Sequence, residues 1–242
     1  MQTDSDTILA TSSRGTVTQS CRRCSAIFSC TSMIVLGSVW PVTFYCSECF
    51  DCARAEHDAA EREAYRVKRA RAWDDDVGRD AFSDTDMKLL DPQKVARVMA
   101  WTFSPKGVLL HGASGKTKSR LMFMLARRVY VEDGVKVYVT RATAAARKVS
   151  DLNATPGFVE SYIRQLIAIP VLFIDDLGKE TQSDRWESAL VEVLDARGAA
   201  RRPVVVTTNY VGDKLVERYR DRSTGEAVVR RLREFCQPIG FQ

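Results

Sequence analysis

At 242 residues, 45% apolar and 28% charged, the chain has the length and composition of a globular protein with one or two domains and a sizeable core. Its net charge of +5 is too small to define a partner, although Arg197 to Arg233 holds ten Lys and Arg against four Asp and Glu. No basic region followed by an apolar run opens the sequence, and the longest apolar stretch, Met33 to Trp40, is too short to span a bilayer; a cytoplasmic protein with no membrane partner is expected.

Residues 1–19 are polar and rich in Ser and Thr, and a disordered tail is expected there. Seven cysteines in a chain without an export signal point to metal or free thiols. Cys21-x-x-Cys24 and Cys46-x-x-Cys49 are separated by 21 residues. Each pair presents two thiolates on a tight knuckle, and two knuckles complete a tetrahedral four-cysteine zinc site with no position left open for catalysis. Cys49-x-x-Cys52 is a competing register and Cys30 a spare. Cys46 and Cys49 are preferred because Cys52 already stands in a helical stretch. Val42 to Tyr45 reads as the strand entering the second knuckle. Residues 20–50 are thus read as a zinc ribbon and 51–78 as a linker helix, rich in Ala, Glu and Arg, with a basic run at Arg66, Lys68, Arg69 and Arg71. The acidic, irregular residues 73–86 carry the domain boundary, and 79–242 form the second domain.

In that domain Pro92 to Phe103 has helical periodicity, and Val108 to His111 reads as a short buried strand. Gly112, Ala113, Ser114, Gly115, Lys116, Thr117, Lys118 and Ser119 follow, then a helix over Leu121 to Tyr130. Strand, Gly-rich loop and helix form the layout of a phosphate-binding loop, in which backbone N–H groups and one Lys converge on an anion. Counted from Gly112, the pattern G-x-x-x-x-G-K-[ST] makes Lys118 the phosphate lysine and Ser119 the Mg²⁺ hydroxyl, with Thr117 where a second Gly belongs. The alternative, Gly115-Lys116-Thr117, needs its first Gly at Leu110, inside the strand.

Val135 to Thr140 is a second strand, and 142–152 and 157–168 are helical. Val171 to Ile174 is a continuous apolar run ending at Asp175-Asp176, a buried strand that delivers carboxylates at its C-terminal end, where ligands of parallel sheets sit. Asp175 is assigned to Mg²⁺ and Asp176 to orienting or deprotonating the attacking water. Ser183 caps a helix that Gly198 stops. Pro203 to Thr208 is another strand, and Asn209 at its end contacts the γ-phosphate or the water. Residues 211–226 read as a helix and then a loop, Ala227 to Phe235 as a basic helix, and Pro238 to Phe241 as a last strand. Together these give an α/β P-loop NTPase with a parallel sheet flanked by helices, using ATP, Mg²⁺ and, in the ribbon, Zn²⁺.

Gly112 to Arg120, VLFIDDLGKE at 171–180 and PVVVTTN at 203–209 together resemble the AAA+ ATPases of the DnaC and IstB group, the helicase loaders and transposition helpers of bacteria and phages. GEAVVRRL at 225–232 is similar to their C-terminal Gly-Glu…Arg-Leu segment, which implies an interface arginine at Arg231. The ribbon is similar in arrangement to the DnaI-type loaders. The resemblance implies an ATPase that loads a replicative helicase on single-stranded DNA and assembles as a ring or spiral, in a bacterial or phage-infected cell. An IstB-like helper shares every motif, and Thr117 leaves room for a zinc-ribbon adaptor with a degenerate nucleotide site.

Overall fold

The computed structural model describes residues 10–12, 15–35, 38–76, 90–115, 117–151 and 155–241. They divide into two compact units that meet in sequence at Tyr65 and Arg66.

The first unit is an antiparallel sheet in the order β1-β2-β3-β4, built from β1 (Ala10–Ser12), β2 (Thr16–Ser20), β3 (Ile27–Val35) and β4 (Ser38–Pro41). Residues 10–12 and 16–19, expected within a disordered tail, lie in strands. Residues 1–9 lie outside the described residues, but β2 pairs along its whole length with β3 and buries Val17. The polar composition suggested disorder; the pairing overrides it. The strand expected at Val42 to Tyr45 lies just before it, in β4. At 42–45 the Thr43 hydroxyl takes the Tyr45 amide at 3.2 Å, closing a local turn instead. Helix α1 (Ser47–Asp76) begins directly after Cys46, whose carbonyl accepts from Phe50 N at 2.7 Å.

The second unit takes in the end of α1 from Arg66 on. It continues through α2 (Pro92–Met99), β5 (Gly107–Gly112), α3 (Lys118–Val131), β6 (Val137–Arg141), α4 (Ala142–Ser150), α5 (Pro156–Ala168) and β7 (Val171–Leu177). Then come α6 (Asp184–Ala199), β8 (Val204–Thr208), α7 (Asp213–Val216), α8 (Arg222–Phe235) and β9 (Cys236–Phe241). The five strands are all parallel, in the order β6-β7-β8-β5-β9. Successive strand residues feed opposite faces. Leu172, Ile174, Val204 and Val206 pack with α4, α5, α6 and α8, while Val171, Phe173, Val205 and Val108 pack with α2, α3 and Trp73 of α1. This is why β7 and β8 read as unbroken apolar runs.

Two residues of the basic run are consumed here. Arg69 Nε donates to the Val131 carbonyl at 2.9 Å, at the negative end of α3, and Arg66 pairs with Glu132 at 3.2 Å. Gly198 does not stop α6 but lies within it. A Cβ there would fall 2.3 Å from the Phe235 ring, so the glycine admits that ring against the helix. Helix α8 starts five residues before the expected Ala227, because the Asp221 carboxylate caps it through Thr224 N at 2.9 Å.

Candidate nucleotide site and cysteine cluster

Strand β5 ends on Gly112, whose φ is 138° and whose Cβ would lie 1.9 Å from the carbonyl oxygen of Phe241 on β9. Only glycine fits there. Ala113, Ser114 and Gly115 carry the turn, and Lys116 lies outside the described residues. Thr117 precedes α3 in the left-handed region, at φ 62° and ψ 11°, a conformation that costs a non-glycine residue about 1–2 kcal/mol. Lys118 opens α3, nearly buried, and its Nζ donates to the carbonyls of Gly112 at 2.9 Å and Ala113 at 2.8 Å. Burial pulls its ammonium below the usual lysine range, with Asp176 opposing the shift.

Ser119 Oγ donates to Asp175 Oδ1 at 2.7 Å, which joins the start of α3 to the end of β7. Thr207 Oγ1 donates to the same oxygen at 2.6 Å and accepts from Asp176 N at 2.8 Å. Asp175 is fully buried, and among the described residues its Oδ2 has no partner. Burial raises its carboxyl above the usual range, while the bonds from Thr207 and Ser119 pull the other way. An orphaned buried carboxylate oxygen beside a serine hydroxyl is a donor set that suits a hard divalent cation. Asp176 takes φ 59°, and its Oδ1 lies 2.8 Å from Lys179 Nζ. The Thr208 hydroxyl donates to Leu177 O at 2.7 Å and accepts from Tyr210 N at 3.1 Å, bracketing Asn209.

Ser114, Gly115, Thr117, Lys118, Ser119, Asp176 and Asn209 line one pocket of about 270 Å³, together with Arg120 and Lys179. Sequence reading missed Thr207, whose hydroxyl was hidden in a β-branched strand, and Lys179. A larger cavity of about 740 Å³ runs along the edge strand β6, and it holds none of these groups. Arg231 stands apart from the pocket, on α8, in a two-pronged ion pair with Asp195 of α6 that includes Nη2 to Oδ2 at 2.5 Å; Arg230 is exposed.

The basic segment is mostly spent within the chain. Arg197 is fully buried, Arg202 donates to Ile167 O, Arg218 to Gly178 O, and Arg220 and Arg222 pair with Asp184 and Glu226. Arg201, Lys214, Arg230 and Arg233 are exposed, and so are Arg220 and Arg222 despite their surface pairs.

In the first unit the Sγ atoms of Cys21, Cys24, Cys46 and Cys49 all lie within 4.8 Å of one another, with Cys24 and Cys46 at 3.6 Å. Four thiolates about 2.3 Å from one tetrahedral zinc would stand about 3.8 Å apart, so the cluster has the right size. Cys49, like Cys52, is on α1, but in its first turn, and only Cys49 joins the cluster. The thiols obstruct one another's ionisation. Cys24 beside it, with burial, pushes Cys49 up to about 12, whereas at Cys21 burial is outweighed by backbone amides and the thiol falls to about 6. A divalent cation among the sulfurs would let all four ionise.

Three solved structures share the fold. The DnaI structure matches with a TM-score of 0.55 at 21% identity, over 68% of this chain and 92% of that one. A primosome component from Streptococcus pyogenes serotype M3 gives 0.53 at 19%, over 67% and 88%. The DnaC helicase loader gives 0.50 at 21%, over 62% and 86%. An insertion-sequence ATP-binding protein of Sinorhizobium fredii is 28% identical over 176 residues, 70% of this chain; the chain spans only 56% of that relative's length. The parallel sheet flanked by helices is thus a known fold. The family profile described as IstB-like ATP binding protein matches residues 56–241, and the chain belongs to that family.

Proposed function

We propose that the protein is an ATPase that uses ATP binding and hydrolysis to load a replicative helicase on single-stranded DNA, working as a homo-oligomer. The observation that carries the ATPase reading is the joined Ser119–Asp175–Thr207 set at the mouth of a lysine-bearing loop. Lys118 exchanges the Gly112 and Ala113 carbonyls for phosphate oxygens. Ser119 and Asp175 would hold Mg²⁺, which when bound would supply positive charge beside the phosphates. Asp176 orients the attacking water, and Asn209 reports on the terminal phosphate. An arginine of α8 completes a neighbour's site. Arg231 matches the family's Arg-Leu pair but reaches outward only by giving up Asp195, whereas Arg230 is already exposed.

Phosphate release should rise on addition of single-stranded DNA, and the stimulation should weaken steeply with salt, because the exposed basic residues work against phosphates. Turnover indifferent to DNA at low salt would count against a loader. A second reading, a transposition helper, is favoured by the insertion-sequence relative. Capture by a purified replicative helicase, and not by a transposase, supports the first; the reverse supports the second.

The cysteine cluster completes the proposal as a structural zinc site of the unit that contacts the partner. Purified protein should carry about one zinc per chain by elemental analysis. Cys46→Ser and Cys49→Ser should each lose it, and Cys52→Ser should keep it. Zinc retained in full by the Cys46→Ser protein would reject this ligand set.

A further inference from the structure

Lys179 has no part in the mechanism above, yet the fold goes to some length to place it. The chain turns sharply as β7 ends. Asp176 and Gly178 both take left-handed φ values, 59° and 92°, and Lys179 N donates to Asp176 O at 3.2 Å. The turn is held from three sides. A Cβ on Gly178 would lie 2.7 Å from the Tyr210 ring, Arg218 Nε donates to the Gly178 carbonyl at 2.7 Å, and the buried Glu180 carboxylate takes the Gly178 amide at 2.7 Å. On this fixed turn the Lys179 side chain projects into the pocket that Lys118, Asp176 and Asn209 line. Its ammonium sits 2.8 Å from Asp176 Oδ1, with the two side chains 38% and 29% exposed.

An ammonium on Asp176 Oδ1 takes one of the lone pairs through which that carboxylate could hold a water. In this arrangement Asp176 is engaged, and so is Lys118, whose ammonium rests on two loop carbonyls. We propose that Lys179 is a second phosphate-contacting lysine, paired with Asp176 until it is transferred to the terminal phosphate of a bound nucleoside triphosphate, which leaves both Asp176 oxygens to orient water. This rests on the reading of the pocket as an ATP site. The exchange runs downhill because a part-exposed carboxylate pair is weak, while a terminal phosphate offers more charge and more acceptor oxygens. A diphosphate lacks that group, so Lys179 stays on Asp176.

The test is the Lys179→Met protein, which loses the ammonium and keeps most of the stem. Its affinity for a non-hydrolysable ATP analogue and for ADP, each with Mg²⁺, is measured by calorimetry beside wild type. The analogue should bind about tenfold more weakly, the loss of one charge-assisted contact, with ADP changed less than about twofold. Lys179→Arg should recover most of the preference for triphosphate. Equal weakening of both nucleotides would overturn the proposal, since the lysine would then only shape the pocket. Unchanged analogue binding with faster turnover would also overturn it, leaving Lys179 a mere restraint on Asp176. Wild-type protein that binds neither nucleotide defeats the ATP reading itself, a separate outcome visible before any variant is compared.

Discussion

Lys118→Ala should lose ATP turnover by about 10³-fold and bind ATP more weakly, while Lys116→Ala stays within a few-fold of wild type. The first change removes a nearly buried ammonium, aimed by the first turn of α3 back across its own loop at Gly112 and Ala113. Those carbonyls mark where a phosphate would stand, because both are oxygens approached by the same donor. No water can substitute for the lysine, since a neutral molecule cannot offset charge developing on the γ-phosphate. Phosphate release and nucleotide affinity, measured on both variants, settle the register of the loop. If Lys116→Ala is the inactive protein, the count from Gly112 is wrong, and the strain at Thr117 needs another explanation.

Arg197→Met should lower stability by about 3–5 kcal/mol, a fall in Tm of about 10 °C in a protein of this size. Arg197 is fully buried in α6, and its guanidinium has five carbonyl oxygens around it. Nη1 donates to Leu166 at 2.7 Å, Ile167 at 3.2 Å and Ile169 at 2.8 Å, and Nη2 to Pro170 at 3.1 Å and Pro203 at 2.7 Å. Three of these are carbonyls at or just past the end of α5, where the helix dipole is negative; the others precede β7 and β8. Burial, with Arg202 nearby, brings the guanidinium down to about 10, so it stays charged at neutral pH. Methionine fills much of the volume but removes the guanidinium from the Leu166, Ile169 and Pro170 carbonyls, while Ile167 keeps Arg202 and Pro203 keeps the Leu172 amide. The exposed Arg201→Met protein is the control. A melting curve within about 2 °C of wild type for Arg197→Met would show that water replaces the guanidinium.

The same residue shows where the sequence misleads. In a run of ten basic residues, Arg197 looks like part of a nucleic-acid face, but it is among the deepest cations of the fold. Local charge counts cannot see a partner that is a set of carbonyls 27 to 31 residues earlier. The central strands were legible because burial on both faces leaves only apolar choices, as in Val171 to Ile174. The Asp pair near the end of β7 and the cysteine cluster were legible because two carboxylates ending an apolar run, and two C-x-x-C pairs, stand out by spacing alone. Thr207 was not, since a β-branched residue in a strand needs no further reason. Neither was Gly198, whose reason is the Phe235 ring. Strand β2 was missed because Ser and Thr alternation carries no signal until β3 pairs with it.

Strand β9 begins at the residue after α8 ends, with no intervening loop, and runs hydrogen-bonded beside β5 until Phe241 meets Gly112. Because the strands are parallel, α8 runs back against the sheet before β9 returns beside β5, so the arginine-bearing helix and the strand that presses on Gly112 are two arms of one tight reversal. In the homo-oligomer proposed above, a displacement of α8 at a neighbour's site would reach the phosphate loop through β9, at a point where the Phe241 carbonyl leaves Gly112 no room even for a methyl group.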